Sequence, residues 1–401
     1  DDAVERHGHL GWIGLNLVDE RWWTLSPTSL DLYAGVPGIG LALSAVAEVS
    51  GDPRITEVAD RTMDQVAEQA RLVARLSAGQ VAKRGVAGMD AGAFGLVGGT
   101  MYALASAAAV RDRPDWAVAG AQLLDTLGKL VDIDDNADIV SGSAGALLAG
   151  LAVEPYADGA GLALAHRAAR RLRETAVDAG AGALGWESPV ADGRALVGFS
   201  HGTLGVAVAL NALHDADPGA DVADLLTGAL LLEDRYFDDA TGDSADLRAV
   251  ASGRGRSMRA WCHGAGGGAL GRSALLRHPD LLPDPDAVAR QRDRAVEALW
   301  DTGLGEPTTV HGIGNHCLCH GDLGNYLAAT RSGAAPRDDA GTTLGAILAG
   351  ARTTGWLCGV PGGVRTPGLM TGVAGVAWGL AQIASGHAYP DLLTLTPGAR
   401  P

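Results

Sequence analysis

Cysteine is scarce in this chain. Four residues, Cys262, Cys317, Cys319 and Cys358, are spread unevenly over 401 positions, which excludes the disulfide framework of a small secreted domain. A charge-free apolar run of about eighteen residues is also missing, so no membrane-spanning helix is expected. The opening residues Asp1-Asp2-Ala3-Val4-Glu5-Arg6 have neither the basic end nor the apolar stretch of a secretion signal, and a cytoplasmic location is expected. Because the chain opens on Asp rather than Met, it reads as a piece of something longer. Positive charge is short too: 31 Lys and Arg against 47 Asp and Glu leave a formal net charge of −16. Nucleic acid and anionic membrane surfaces would be repelled, which leaves small molecules or peptides as partners. Finally, no sustained period-two alternation points to a large sheet.

What the chain has in excess is glycine, 58 residues in all. A G-x-x-G element recurs at Gly35/Gly38, Gly92/Gly95, Gly142/Gly145, Gly202/Gly205, Gly264/Gly267, Gly321/Gly324 and Gly372/Gly375, with first glycines 57, 50, 60, 62, 57 and 51 residues apart. That even period is the signature of a repeat architecture, and it is long enough for a helix pair per unit. Segments such as Gly92 to Val110, Gly142 to Val153, Gly202 to Leu213 and Gly372 to Ala384 contain no Asp, Glu, Lys or Arg, so these helices must be buried nearly all round. Charged amphipathic stretches lie between them, for example Arg54 to Arg61, His166 to Asp178, and Asp284 to Asp301 with Val288, Val296 and Leu299 on one face.

Alternating apolar and charged helices imply an all-α fold. The expected form is an α/α toroid of seven helix pairs with Gly-rich turns leading into the inner helices, where glycine supplies positive φ or close backbone approach. A single domain over 1–401 is expected, with a lead-in segment over 1–30 and seven repeats over about 31–390.

The polar residues follow the same repeat. Immediately before the first glycines stand Ala34, Ala91, Ser141, His201, His263, His320 and Thr371, and one residue earlier Tyr33, Asp90, Val140, Ser200, Cys262, Cys319 and Met370. Equivalent positions on a closed ring face one direction. Cys262, Cys319, His201, His263 and His320 therefore converge on one rim, and thiolate with imidazole is the donor set that zinc prefers. Two thiolates and one imidazole would leave a fourth tetrahedral position open, as in a catalytic site; which histidine joins them is not settled by the repeat. Cys317 and Cys358 read as small buried hydrophobes, and His311 and His316 as loop residues. The acidic run Glu233 to Asp239, with Asp243 and Asp246, reads as a solvated linker, and Asp322 as a helix-capping acid. A carbohydrate-cleaving toroid would need a carboxylate pair, which the inner helices hardly offer.

The motifs Trp261-Cys262-His263-Gly264, Leu318-Cys319-His320-Gly321-Asp322-Leu323-Gly324-Asn325, Ser200-His201-Gly202, and Gly359-Val360-Pro361-Gly362-Gly363 through Gly368-Leu369-Met370-Thr371-Gly372 resemble the lanthionine synthetase C-like cyclases. The similarity runs from about Asp31 to about Ile383. The two C-terminal stretches are most similar to the cyclase domain of class II lanthipeptide synthetases. The resemblance implies a zinc-dependent cyclase in which a peptide cysteine adds to dehydroalanine or dehydrobutyrine, closing a thioether ring. It implies zinc on Cys262, Cys319 and His320, His201 as the proton donor to the α-carbon, Asp138 orienting that histidine, and His263 sharing the proton traffic. The implied substrate is a dehydrated precursor peptide, and a dehydratase domain or enzyme is the implied partner. The family's enolate-stabilising Arg, commonly four residues ahead of the first zinc Cys, falls here on Met258, and Arg259 is the expected replacement. A related toroid that adds a small thiol such as glutathione, or a non-catalytic peptide-binding zinc domain, fits the same residues.

Overall fold

In the computed structural model the residues described are 2–18, 22–84, 89–248, 259–301, 304, 314–335 and 337–396. The segment after each glycine motif forms a helix: α1 (Val36–Ser50), α3 (Leu96–Arg111), α6 (Ser143–Val153), α8 (Thr203–Ala216), α10 (Ala265–Leu275), α12 (Asp322–Arg331) and α14 (Val373–Ala384). These seven pack in cyclic order, each on the next and α14 back on α1. Their burial follows from composition: every residue of α6 is buried, as is Val97 to Ala108 of α3. The charged stretches lie outside them as α2 (Pro53–Arg84), α4 (Pro114–Ala121), α5 (Leu124–Asp132), α7 (Ala160–Thr175), α9 (Ala223–Tyr236), α11 (Pro285–Asp301) and α13 (Ala340–Thr354). Each presents one stripe inward; in α7 the stripe is Leu164, Ala165, Ala168, Ala169 and Leu172, and in α11 it includes Val288, Val296 and Leu299. The result is the two-layered α/α toroid.

The glycines cap the inner helices, with one shift of register. Gly35, Gly142, Gly202, Gly264, Gly321 and Gly372 stand at the N-cap as the spacing predicts, but the second repeat uses Gly95 rather than Gly92. Ala93 and Phe94, not Asp90 and Ala91, therefore occupy the equivalent positions there. Positive φ is needed at Gly264 alone of these caps, at +83°; at the others close approach is what excludes a side chain. The second glycine of each motif obeys one rule: a Cβ there would overlap the main chain six residues upstream, as at Gly324 against the Leu318 carbonyl and Gly375 against that of Leu369.

The turns carrying the polar residues are stitched to one another by backbone hydrogen bonds. Leu32 donates to the Phe94 carbonyl (3.1 Å), Phe94 to Val140 (3.1 Å), Ser200 to Cys262 (3.1 Å), Trp261 to Cys319 (3.0 Å), Cys319 to Met370 (3.0 Å) and Met370 to Tyr33 (2.8 Å). This girdle lines one end of the ring and closes it between the last repeat and the first. Strands are few and short. The lead-in segment folds as two antiparallel hairpins, β1 (Val4–Arg6) with β2 (His9–Gly11) and β3 (Ile13–Val18) with β4 (Trp22–Pro27). Among the described residues no helix is long and apolar enough to cross a membrane.

Candidate active site

Two thiols meet at the girdle. Cys262 and Cys319, from the turns ahead of α10 and α12, hydrogen-bond to each other. That bond, with the positive charge of Arg248 and the neighbouring His201, lowers the Cys262 pKa, whereas the Cys319 thiol is raised by the same bond and by burial. Tyr33 completes the group by hydrogen-bonding Cys319 from the first repeat. Its place was written in the sequence, one residue before a cap-preceding position as for both cysteines, but only cysteines and histidines suggest a ligand set.

His201 stands beside the thiols. Its Nδ1 lies 2.6 Å from Oδ2 of Asp138, a carboxylate that is 3% exposed and also accepts the Ser141 amide at 2.7 Å. Burial alone would lower the His201 pKa, but the hydrogen bond and charge of Asp138 raise it above the ordinary imidazole value. His263 stacks on it with ring centroids 6.0 Å apart and goes the other way. Burial and the charge of Arg248 push His263 down to about 3, so at neutral pH it is uncharged, and its Nε2 has no protein partner among the described residues.

The two Cys-His-Gly tripeptides thus diverge. His320 turns from its neighbour's histidine and directs Nε2 at the Gly359 carbonyl, 3.2 Å away. No three His, Cys, Asp or Glu side chains among the described residues stand as a ready cage for a metal ion. His316 is committed elsewhere, since its Nδ1 accepts the Leu357 amide at 2.9 Å. Cys317 and Cys358 are buried thiols, with Cys317 pushed up to about 12 by burial. His311 lies outside the described residues, as do Arg254, Arg256 and Met258.

Arg259 is occupied away from the thiols. Its guanidinium bonds Asp243 at 2.8 Å and the Ala298 carbonyl at 3.2 Å, and Asp243 also accepts the Ala265 amide at the start of α10. Among the described residues, the arginine whose charge reaches Cys262, His201 and His263 is Arg248, paired with Asp246 at 3.0 Å. Proximity in sequence concealed this, because Arg248 is fourteen residues ahead of Cys262. The acidic run is likewise structural at its start. Glu233 is fully buried and accepts hydrogen bonds from Gly198, Thr203 and Leu204, so it caps α8 from the outer layer and fixes the turn that carries His201.

A chamber of about 700 Å³ lies beside the girdle, lined by Tyr33, His320, Gly359 and Thr371 and by residues of the β3–β4 hairpin. Three comparisons relate the chain to known proteins. The solved structure of a nisin cyclase superposes with a TM-score of 0.66 at 15% identity, covering 91% of both chains, which establishes the toroid. The Lacticin 481/lactococcin biosynthesis protein LcnDR2 of Lactococcus lactis subsp. lactis is 25% identical over 138 residues, 30% of this chain and 14% of that protein. This chain therefore aligns with only a small part of that longer relative. The model of the lanthionine synthetase C-like proteins matches residues 26–394, nearly the whole toroid and every site residue named above, and the chain belongs to that family.

Proposed function

We propose that the protein is a zinc-dependent lanthionine-forming cyclase, adding the cysteine thiolate of a dehydrated precursor peptide to dehydroalanine or dehydrobutyrine within the same peptide. The observation that carries this reading is a hydrogen-bonded His201–Asp138 pair set beside two thiols in contact. The donor chemistry fits zinc. Cys262 and Cys319 already meet and with His320 would hold the ion, and the bond from His320 Nε2 to the Gly359 carbonyl is an outer support of the kind metal-ligating histidines use. When bound, zinc supplies the positive charge that keeps a substrate thiol deprotonated.

The remaining steps belong to the chain. As the thiolate forms its bond to the β-carbon, the double-bond electron pair moves to the α-carbon and its carbonyl oxygen. Arg248 offsets that developing charge in place of Arg259. His201, held by Asp138 at Nδ1, gives the proton on Nε2 to the α-carbon and is reprotonated by the equivalent lost from the thiol. Neutral His263 packs against the His201 ring and relays protons without competing for charge. Dehydroamino acids arise by loss of water from Ser and Thr, so a dehydratase domain or enzyme is the partner this chemistry requires. Four free thiols suit a reducing cytoplasm.

A synthetic peptide with one dehydroalanine and one cysteine a few residues apart tests the reading. Ring closure conserves mass and removes the free thiol, so iodoacetamide labelling reports it. Wild type should hold one zinc and close the ring. Cys262→Ala should lose the metal, and His201→Asn should slow closure by roughly 100-fold or more. Glutathione addition to a cysteine-free dehydroalanine peptide, without ring closure, would transfer the function to the small-thiol reading. Bound zinc without either reaction would favour the non-catalytic one.

A further inference from the structure

The chamber beside His320 has a composition that selects its occupant. Its walls are apolar where the toroid supplies Phe94, Leu96 and Val140 and where the hairpin supplies Leu15 and Trp23. Its charges are of one sign: Asp31 and Asp90 line it, and no Lys or Arg among the described residues does. The two acids differ. Asp31 is engaged on both oxygens, by the Ala34 amide at 2.7 Å and by the Ser29 hydroxyl. Asp90 accepts the Gly92 amide on Oδ1 at 3.2 Å, and no bond to its Oδ2 is made among the described residues. Burial pushes the Asp90 carboxyl up to about 7, with the charges of Asp138, Asp31 and Asp134 acting in the same direction. A cation entering the chamber would relieve that burden.

The hairpin supplies the other half of the argument. Across its ladder Leu15 pairs with Leu25, and Ile13 with Pro27. These four share one face with Trp23, and Leu15, Trp23 and Pro27 line the chamber while Leu25 is 73% and Ile13 55% exposed. An apolar track thus runs along this face of the hairpin to a cavity wall that includes His320, one of the candidate zinc ligands. A long side chain with an aliphatic stem and a positive tip matches such a track, stem on Trp23 and Leu15 and tip on Asp90.

Resting on the cyclase reading, we propose that this chamber is a specificity subsite for the peptide segment flanking the reacting cysteine, and that it takes a Lys or Arg of the substrate, with Trp23 and Asp90 as the selecting residues. The surface is assigned to the substrate peptide rather than to another protein because the track leads inward to the site.

Three dehydroalanine–cysteine peptides, identical except for Lys, Leu or Glu beside the cysteine, provide the test. Wild type should close the Lys peptide roughly tenfold faster than the Glu peptide at limiting concentration, the size expected of one charge-assisted hydrogen bond. In Asp90→Asn, which keeps an acceptor for Gly92, the two should come within about twofold. In Trp23→Ala, the Lys and Leu peptides should both lose ground to the Glu peptide. Equal rates for all three in wild type, or a preference unchanged in Asp90→Asn, would overturn the subsite. Inert peptides with Ser in place of both reacting residues separate this from the cyclase reading. Tighter binding of the Lys form, measured by tryptophan quenching and lost in Asp90→Asn, supports the subsite even if no ring closes, and equal binding refutes it.

Discussion

Asp138 has two jobs that a single substitution can separate. Its Oδ1 holds the Ser141 amide and its Oδ2 holds His201, so Asp138→Asn keeps the turn and removes the charge. Burial lowers the pKa of His201, and Asp138 more than reverses that effect; without the carboxylate, only the lesser effect of Cys262 would oppose desolvation. As a proton donor His201 is competent below its pKa, so cyclisation should fall as pH rises through that value. In Asp138→Asn the fall should begin at lower pH, and the plateau should drop roughly 10²–10⁴-fold. A pH–rate profile of ring closure checks both, and an unmoved basic limb would show that His201 is not the acid. The same sign governs stability: a raised imidazole pKa contributes at pH below the unfolded value near 6.5 and is lost as pH climbs through the folded one.

At the scale of elements, glycine does opposite things in α12 and α13. In α12 a Cβ on Gly324 would collide with the Leu318 carbonyl, and no flexible atom is available to yield. In α13 a Cβ on Gly341, Gly345 or Gly350 would meet nothing within 4 Å. Gly324→Ala should therefore cost roughly 3 kcal/mol or more, while each α13 Gly→Ala should gain about 0.5–1 kcal/mol from reduced unfolded-chain entropy. Denaturant midpoints decide the matter. The repeat was legible because of this constraint: the period, the charge-poor inner helices and six of the seven caps could be read from residue order. The second repeat was misread by three residues because Gly92, Gly95 and Gly98 offer the same spacing twice, and only helix geometry chooses between them. The site was legible where chemistry repeats, in Cys262, Cys319 and the histidines. It was hidden where long-range packing decides, as with Arg248, whose charge reaches Cys262 from fourteen residues upstream, Tyr33 approaching from the far end of the chain, and Glu233 buried inside an apparently solvated acidic run.

The whole molecule is a ring whose closure and site share residues. Trp261, 0% exposed, stands edge-on to Phe94 of the second repeat (5.3 Å) and Phe199 ahead of the fourth inner helix (5.8 Å). Its indole N–H donates to the Leu393 carbonyl at 2.7 Å, which anchors the tail after α14, and its main chain holds Cys319 in the girdle. One residue thus fastens four separate parts of the sequence next to Cys262. Trp261→Phe keeps an aromatic ring but strands a buried carbonyl and leaves unfilled volume, so about 2–4 kcal/mol should be lost. If the girdle couples fold to site, Cys262 and Cys319 should also react faster with a disulfide reagent in this variant under conditions where it remains fully folded. A variant of similar instability on the outer layer, such as Val288→Ala in α11, should leave thiol reactivity as it was. Equal acceleration in both would mean that the thiols report only global opening, and that Trp261 holds the ring without holding the site.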